Sequence, residues 1–97
     1  MQLSGHVAVV DHDAPTRVAL ARLLSVHRID CRTYPSALTF LAALPSALPV
    51  CLIVEVNMRE MTALELQREL LKRGVHIPTI VITAVENESV VVEAKSL

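Results

Sequence analysis

Glycine is scarce in this sequence: its 97 residues include only two, Gly5 and Gly74. A dinucleotide-binding turn of the Rossmann type needs glycines directly after the first strand, where the backbone approaches the pyrophosphate. A phosphate-binding P-loop needs a glycine-rich stretch that ends in lysine. Neither pattern occurs in the chain, so both classes of nucleotide site are excluded.

Aromatic residues and clusters of positive charge are also lacking. The chain contains one Phe, one Tyr and no Trp, so its core must be built from Val, Leu, Ile and Ala. The formal net charge is −1 without a basic cluster. This argues against direct nucleic acid binding by the segment, because such binding needs a positive surface. The length of 97 residues suits a single domain, expected to span residues 1–97.

Long apolar runs are absent as well. No stretch approaches the roughly 20 apolar residues that a membrane-spanning helix requires. The N-terminal MQLSGHVAVV lacks the basic start and the cleavage site of a secretion signal. Cys31 and Cys51 lie in strand-like apolar runs without the spacing of metal ligands, so we expect reduced, buried thiols. Together these features predict a cytoplasmic protein.

The sequence does contain a regular alternation of strand-like and helical segments. β-Branched or apolar runs predict four strands, at residues 6–10, 29–34, 50–56 and 78–83. Helical spacing predicts helices at residues 15–27, 36–44 and 62–73, and a fourth that begins at Asn87 or Ser89 and continues through Ala94. This alternation predicts an α/β fold with a parallel sheet built from right-handed βαβ units.

Several helix ends carry local signals. Pro15 suits a first helical turn, where its missing N–H would have no intrahelical partner. Ser36 is expected to cap the second helix. Thr62 and Glu65 match the capping box, in which each side chain binds the other residue's backbone N–H. Gly74 is expected to end the third helix in the left-handed conformation.

The carboxyl ends of the strands are the expected place for a site in such a sheet. This rule selects residues 11–13, Tyr34, residues 55–57 and residues 83–84. The hydroxyl of Thr83 could bind an anion held near the end of the third strand. The competing interpretation is that Thr83 is simply a residue with high β-propensity and a solvated hydroxyl.

Acidic residues dominate two of these places. Asp11, His12 and Asp13 follow the first strand, and Glu55 ends the third. If the two strands are neighbours, the carboxylates converge and need a divalent cation, a proton or a basic side chain to offset their repulsion. His12 could be that positive group, or a ligand for a softer metal. Alternatively, Asp13 only caps the first helix while Asp11 faces water.

Three stretches together resemble the receiver domain of two-component response regulators. VAVVDHDAPTRVAL is similar to the family's first strand, acidic pair and first helix, with Arg17 where an arginine often occurs. CLIVEVNMREMTALEL is similar to the strand and loop that carry the phosphorylated aspartate, and IPTIVITA to the strand that ends in the switch threonine. The resemblance covers essentially the whole chain. It implies a three-layer, flavodoxin-like fold with a parallel sheet, here with about four strands and four helices.

The resemblance also implies a mechanism. In the family an acidic pair holds Mg²⁺, an aspartate accepts a phosphoryl group from a histidine kinase, and a threonine and a lysine bind the phosphoryl oxygens. Here the acidic pocket would comprise Asp11, His12 and Asp13, the acceptor-equivalent residue would be Glu55, and the switch residue would be Thr83. If a cation binds, its ligands would be Asp11, Glu55 and the backbone carbonyl of Asn57.

The sequence departs from the family's pattern where the phosphate chemistry occurs. His12 replaces the second acid, and Glu55 replaces the aspartate with a carboxylate about 1.5 Å further from the backbone. Arg59 and Ala63 stand where the family usually has proline and glycine. The family's lysine is missing, because the domain is expected to be incomplete at its C-terminus, before the fifth strand. Lys95 falls in the predicted fourth helix and is not that lysine.

These departures predict a pseudo-receiver, a signalling module that is not phosphorylated at Glu55 and acts by binding a histidine kinase or an output domain. It is not expected to be an enzyme, and it is expected to bind no cofactor, or Mg²⁺ only weakly. One alternative is a functional phosphoryl-accepting receiver with an altered Mg²⁺ site. Another is a small metal-dependent enzyme using Asp11, His12 and Glu55, which is disfavoured because no nucleophile–base pair or oxyanion-donor set is visible.

The predicted fourth strand also suggests self-association. Its sequence PTIVIT is apolar and β-branched, and in the usual receiver order it would form an exposed edge of the sheet. We therefore expect a homodimer or a swapped oligomer, formed through that edge or through the fourth helix.

Overall fold

The computed structural model describes residues 5–44, 48–84 and 90–95, with backbone only for residues 84 and 90–95. Eight elements follow one another along this part of the chain. The strands are β1 (Val7–Val10), β2 (Cys31–Tyr34), β3 (Cys51–Glu55), β4 (Thr79–Ala84) and β5 (Val90–Lys95). The helices are α1 (Ala14–Val26), α2 (Ala37–Ala43) and α3 (Ala63–Lys72). None of these helices is both long and apolar enough to span a bilayer.

The sheet has the order β2-β1-β3-β4-β5, and its first four strands are parallel. The chain moves from β1 outward to β2 and then back across β1 to β3. Because right-handed crossovers in opposite directions place their helices on opposite faces, α1 lies on one face and α2 and α3 on the other. The predicted α/β fold with four parallel strands is confirmed.

The main core lies between the sheet and the helices α2 and α3. Strand β1 is the central element of this region and is buried along its whole length. Ala8 and Val10 point to the α2 and α3 side, where they join Phe40 and Leu66 in one cluster. Burial of the strand on both faces is the reason that its sequence is apolar without alternation.

The predicted helix signals are confirmed at each end that they mark. The Ser36 side chain accepts the Thr39 N–H at 3.1 Å. Thr62 and Glu65 form the reciprocal capping box, with distances of 3.1 and 3.2 Å. Gly74 has a φ of 71°, which is the left-handed conformation that a helix stop of this kind uses.

The predicted fourth helix is wrong. Residues 90–95 form β5, which pairs antiparallel with β4 and sets Thr83 opposite Val91. Three consecutive valines favour a strand, and the free edge of β4 provides the partner that a strand needs. The edge of β4 is therefore covered, contrary to the prediction that it is exposed. Asn87 and Ser89, the predicted start of the helix, lie outside the described residues.

Cys31 and Cys51 are free thiols, although each is only half-buried. Both are in register with Val7, one on each side of β1. Two strand spacings separate their Cα atoms by about 9.5 Å, which exceeds the reach of a disulfide. Partial burial raises the pKa of both thiols.

Candidate functional site

The candidate site lies at the carboxyl ends of β1, β3 and β4. Asp11 directly follows β1, Glu55 is the last residue of β3, and Thr83 lies near the end of β4. Because β1 and β3 are neighbours and β4 lies next to β3, the sheet brings these three tips to one edge. Asp11, Glu55 and Thr83 line a cavity of about 220 Å³ together with His12, Asp13, Thr16 and Ile82.

Asp11 is a buried carboxylate held by its own segment. Its side chain is only 4% exposed, and its Oδ1 accepts the backbone N–H of Asp13 at 2.9 Å. The Arg17 guanidinium donates to the backbone carbonyl of Asp11 at 2.7 Å. The alternative in which Asp11 faces water is therefore wrong.

His12 contacts the carboxylate that ends β3. Its Nδ1 lies 2.5 Å from Glu55 Oε2 and 3.9 Å from Asp11 Oδ1. The His12 side chain is 45% exposed, whereas that of Glu55 is only 14% exposed. One ring nitrogen thus faces both carboxylates and is within hydrogen-bond distance of Glu55.

The surroundings of Glu55 oppose its ionisation. Burial raises the pKa of Glu55, and the hydrogen bond and negative charge of Asp11 raise it further, while the contact with His12 acts in the opposite direction. Two carboxylates that approach each other at a buried edge need a shared positive group. In this structure His12 is in the position to provide it, as one of the sequence interpretations anticipated.

Asp13 belongs to the helix rather than to this cluster. Its Oδ2 accepts the Thr16 N–H at 3.1 Å and the Thr16 hydroxyl at 2.5 Å, so it caps α1. These hydrogen bonds lower the pKa of Asp13. The predicted capping role is confirmed. The role of Thr16 was missed by sequence reasoning, although the three-residue spacing from Asp13 is the signal that could have revealed it.

The remaining predicted positions do not line this cavity. Asn57 is exposed on the loop after β3 and does not line the cavity. Arg59 lines a separate cavity of about 120 Å³, which His12 also borders. Lys95 pairs with Thr79 at the amino end of β4, the end opposite Thr83. Lys95 lies in a strand and not in the predicted helix.

Residues 7–97 match the family described as the response regulator receiver domain. The transcriptional regulatory protein TdiR of Thauera aromatica is 38% identical over 78 residues, which make up 80% of this chain and 34% of that protein. The transcriptional regulatory protein FixJ of Rhizobium meliloti is 34% identical over 88 residues, covering 91% of this chain and 43% of that protein. The chain thus spans less than half the length of either relative.

Solved structures agree with this assignment. The crystal structure of FixJ-N has a TM-score of 0.78 at 33% identity and covers 84% of this chain and 66% of that chain. The chemotaxis protein CheY4 of Vibrio cholerae has a TM-score of 0.78 at 21% identity, over 86% of this chain and 71% of that chain, and shows the same fold.

Proposed function

The chain belongs to the response regulator receiver domain family of two-component systems, and from this premise we propose that it is a pseudo-receiver. In this proposal the module acts through protein–protein contacts and accepts no phosphoryl group at Glu55. The observation that carries the proposal is the 2.5 Å contact between His12 Nδ1 and Glu55 Oε2. One of the two carboxylate oxygens that could attack a phosphorus atom is therefore engaged with an imidazole.

The length of the Glu55 side chain supports the proposal. A glutamate carboxylate lies about 1.5 Å further from the backbone than an aspartate carboxylate. In-line transfer requires the attacking oxygen, the phosphorus and the leaving oxygen to be aligned, and a displacement on this scale can cost about a hundredfold in rate.

The residues at this edge do not suit the Mg²⁺ that receiver domains bind at their acidic site. Mg²⁺ demands a near-octahedral set of oxygen ligands at about 2.0–2.1 Å. Here an imidazole nitrogen faces the two carboxylates, and Asp13 is engaged by Thr16. These features support binding of no cofactor, or of Mg²⁺ only weakly.

The module would signal from one fixed state or be switched by a partner. The Glu55 carboxylate carries at most one negative charge, whereas a phosphoryl group carries about −1.5 to −2. Thr83 borders the same cavity and is the residue through which the state of the site would reach the surface of β4. A histidine kinase or an output domain is the proposed partner.

Phosphoryl labelling tests the proposal directly. The protein is incubated with acetyl phosphate and Mg²⁺ and examined by intact mass and phosphate-affinity electrophoresis. We expect no added 80 Da on the wild-type protein, and we expect labelling of the double variant His12→Asp, Glu55→Asp, which restores the family's acidic pair and acceptor. A labelled wild-type protein that loses its label in Glu55→Gln would refute the pseudo-receiver.

A phosphoryl-accepting receiver with an altered site is the second candidate. The cavity of about 220 Å³ beside Thr83 favours it, because the space can admit a tetrahedral anion. Beryllofluoride added with Mg²⁺ distinguishes the two candidates. Saturable changes in the amide resonance of Thr83 support the second, and an unchanged spectrum supports the first.

Catalytic turnover is not part of the proposed function. Among the residues that line the cavity, the Thr16 hydroxyl donates to the Asp13 carboxylate, and both groups are engaged at the cap of α1. A panel of phosphoesters should therefore be hydrolysed no faster by the wild-type protein than by Asp11→Asn. Hydrolysis lost in that variant would support the small metal-dependent enzyme instead.

The assembly is a further part of the proposal. We propose that residues 1–97 are one receiver-like unit of a longer cytoplasmic regulator, in which other parts of the protein make the DNA contacts.

Strand β5 forms one edge of the sheet, and its outer side has no strand partner among the described residues. A homodimer that pairs two β5 strands would extend both sheets. Light scattering that finds only monomer at high micromolar concentration would rule out this dimer.

A further inference from the structure

Asp11, His12 and Glu55 form a group of potential metal ligands that the proposed function does not use. One ligand atom from each of these residues lies within 4.8 Å of the other two. The donors are one imidazole nitrogen and two carboxylate oxygens. Such a mixed set is poor for Mg²⁺ but suits borderline transition cations, which accept imidazole readily.

We propose that Asp11, His12 and Glu55 form a binding site for a divalent transition cation of the Zn²⁺ class, in place of the family's Mg²⁺. This inference rests on the proposed function, in which the site is not used for phosphoryl transfer. The cation would replace the direct contact between His12 and Glu55.

The distances agree with this exchange. In a tetrahedral Zn²⁺ site with bonds of about 2.0–2.1 Å, neighbouring ligand atoms lie about 3.3 Å apart. His12 Nδ1 is 3.9 Å from Asp11 Oδ1 and 2.5 Å from Glu55 Oε2. The distance from His12 Nδ1 to Asp11 Oδ1 must shorten and the distance to Glu55 Oε2 must lengthen, each by less than 1 Å on this estimate. Small side-chain rotations are sufficient for such changes, and His12 is 45% exposed and free to make them.

The burial of the three groups favours binding. The Asp11 carboxylate is 4% exposed and the Glu55 side chain 14% exposed, so neither charge is well solvated without a partner. A divalent cation offsets both charges at once, whereas one shared proton offsets only one. Asp11 Oδ1 is already oriented by the Asp13 N–H, in the manner of a hydrogen-bonded metal ligand.

Three protein ligands leave the fourth position of a tetrahedral cation free. The three ligand residues line the same cavity as Thr83, so a ligand of the cation would enter from that cavity. An open position is typical of sites that exchange a ligand rather than of closed structural sites. A bound cation could therefore coordinate an anionic group of a partner next to the switch threonine, which would make this receiver responsive to metal instead of phosphate.

The test measures metal binding by protein without an affinity tag, because a histidine tag would itself bind the probe. Calorimetry is performed with ZnCl₂ in the presence of millimolar Mg²⁺, and the visible spectrum is recorded with Co²⁺. We expect one Zn²⁺ per chain and intense Co²⁺ bands of a tetrahedral site. His12→Asn should weaken Zn²⁺ binding about 100-fold or more, because it removes the nitrogen ligand.

Two exposed histidines provide matched controls. His27 and His76 lie on the surface away from the cavity, so His27→Asn and His76→Asn should retain wild-type Zn²⁺ affinity. His12→Asp should shift the preference toward Mg²⁺, and circular dichroism confirms that each variant is folded. Zn²⁺ affinity that is unchanged in His12→Asn, or the absence of saturable binding to the wild-type protein, would overturn the inference.

The Zn²⁺ titration and the phosphoryl-labelling experiment test the metal site and the pseudo-receiver separately. Absence of Zn²⁺ binding without phosphoryl labelling removes the metal site and leaves the pseudo-receiver intact. Phosphoryl labelling of Glu55 refutes the pseudo-receiver whatever the Zn²⁺ titration gives.

Discussion

His12 Nδ1 lies 2.5 Å from Glu55 Oε2, joining two residues that are 43 positions apart in the chain. The contact exists because the sheet places the ends of β1 and β3 side by side. It gives Glu55 a partner at an edge where the buried Asp11 would otherwise repel it. The contact therefore decides both the chemistry and the local stability of this edge.

Removal of the His12 ring should destabilise the fold. In His12→Ala the Glu55 carboxylate loses its hydrogen-bond partner and is left against Asp11, so the free energy of unfolding should fall by about 1–2 kcal/mol. In a Glu55→Gln background the same substitution should cost less, because the carboxylate charge is already absent. Urea unfolding of the four proteins of this cycle at pH 7 measures the difference. Equal costs in both backgrounds would show that the pair contributes no coupling.

The core beneath the site should respond to cavity formation. Leu66 on α3 is completely buried, so Leu66→Ala should lower the free energy of unfolding by about 2–5 kcal/mol. Leu64 on the same helix is 56% exposed, and Leu64→Ala should change stability by no more than about 0.5 kcal/mol. Thermal or chemical unfolding of the two variants compares them. Similar losses in both would contradict the placement of α3.

The capping box of α3 should make a pH-dependent contribution. Hydrogen bonds to Thr62 lower the pKa of Glu65 in the folded protein, so the stabilisation is present above the pKa of the unfolded chain and is lost as the pH falls through the folded value. Thr62→Ala should cost about 1 kcal/mol at neutral pH. Glu65→Gln should remove this acid-dependent part, as measured by unfolding between pH 3 and pH 7, about the range in which glutamate titrates. An unchanged pH profile would mean that the box is open in solution.

The two glycines with positive φ should differ in their tolerance of alanine. At Gly74, φ is 71° and no atom lies within 4 Å of an added Cβ, so Gly74→Ala should cost only the left-handed backbone penalty of about 1–2 kcal/mol. At Gly5, φ is 96° and the Cβ would lie 2.8 Å from Val50 Cγ1, which adds a clash. Gly5→Ala should therefore be the more destabilising variant in denaturant unfolding. The reverse order would mean that Val50 moves aside readily.

Much of this fold follows from local features of the sequence. The cap at Ser36, the reciprocal pair of Thr62 and Glu65 and the stop at Gly74 each depend on residues within a few positions, so short-range hydrogen bonding and backbone sterics determine them. The apolar run that contains β3 indicates a strand because its hydrophobic side chains need burial, and Leu52 and Val54 are completely buried. The ends of three strands could be recognised as the candidate site because parallel strands share one carboxyl edge.

Two features were decided by tertiary structure. Val90, Val91 and Ala94 have a spacing that also suits a helix, but the β-propensity of three consecutive valines and the free edge of β4 together favour a strand. The sequence alone predicted that the carboxylates near Asp11 and Glu55 need a positive group, but it left a cation, a proton and His12 as alternatives. The choice of His12 depends on the packing of β1 against β3, because the distance between residues 43 positions apart is set by the sheet and not by the local chain.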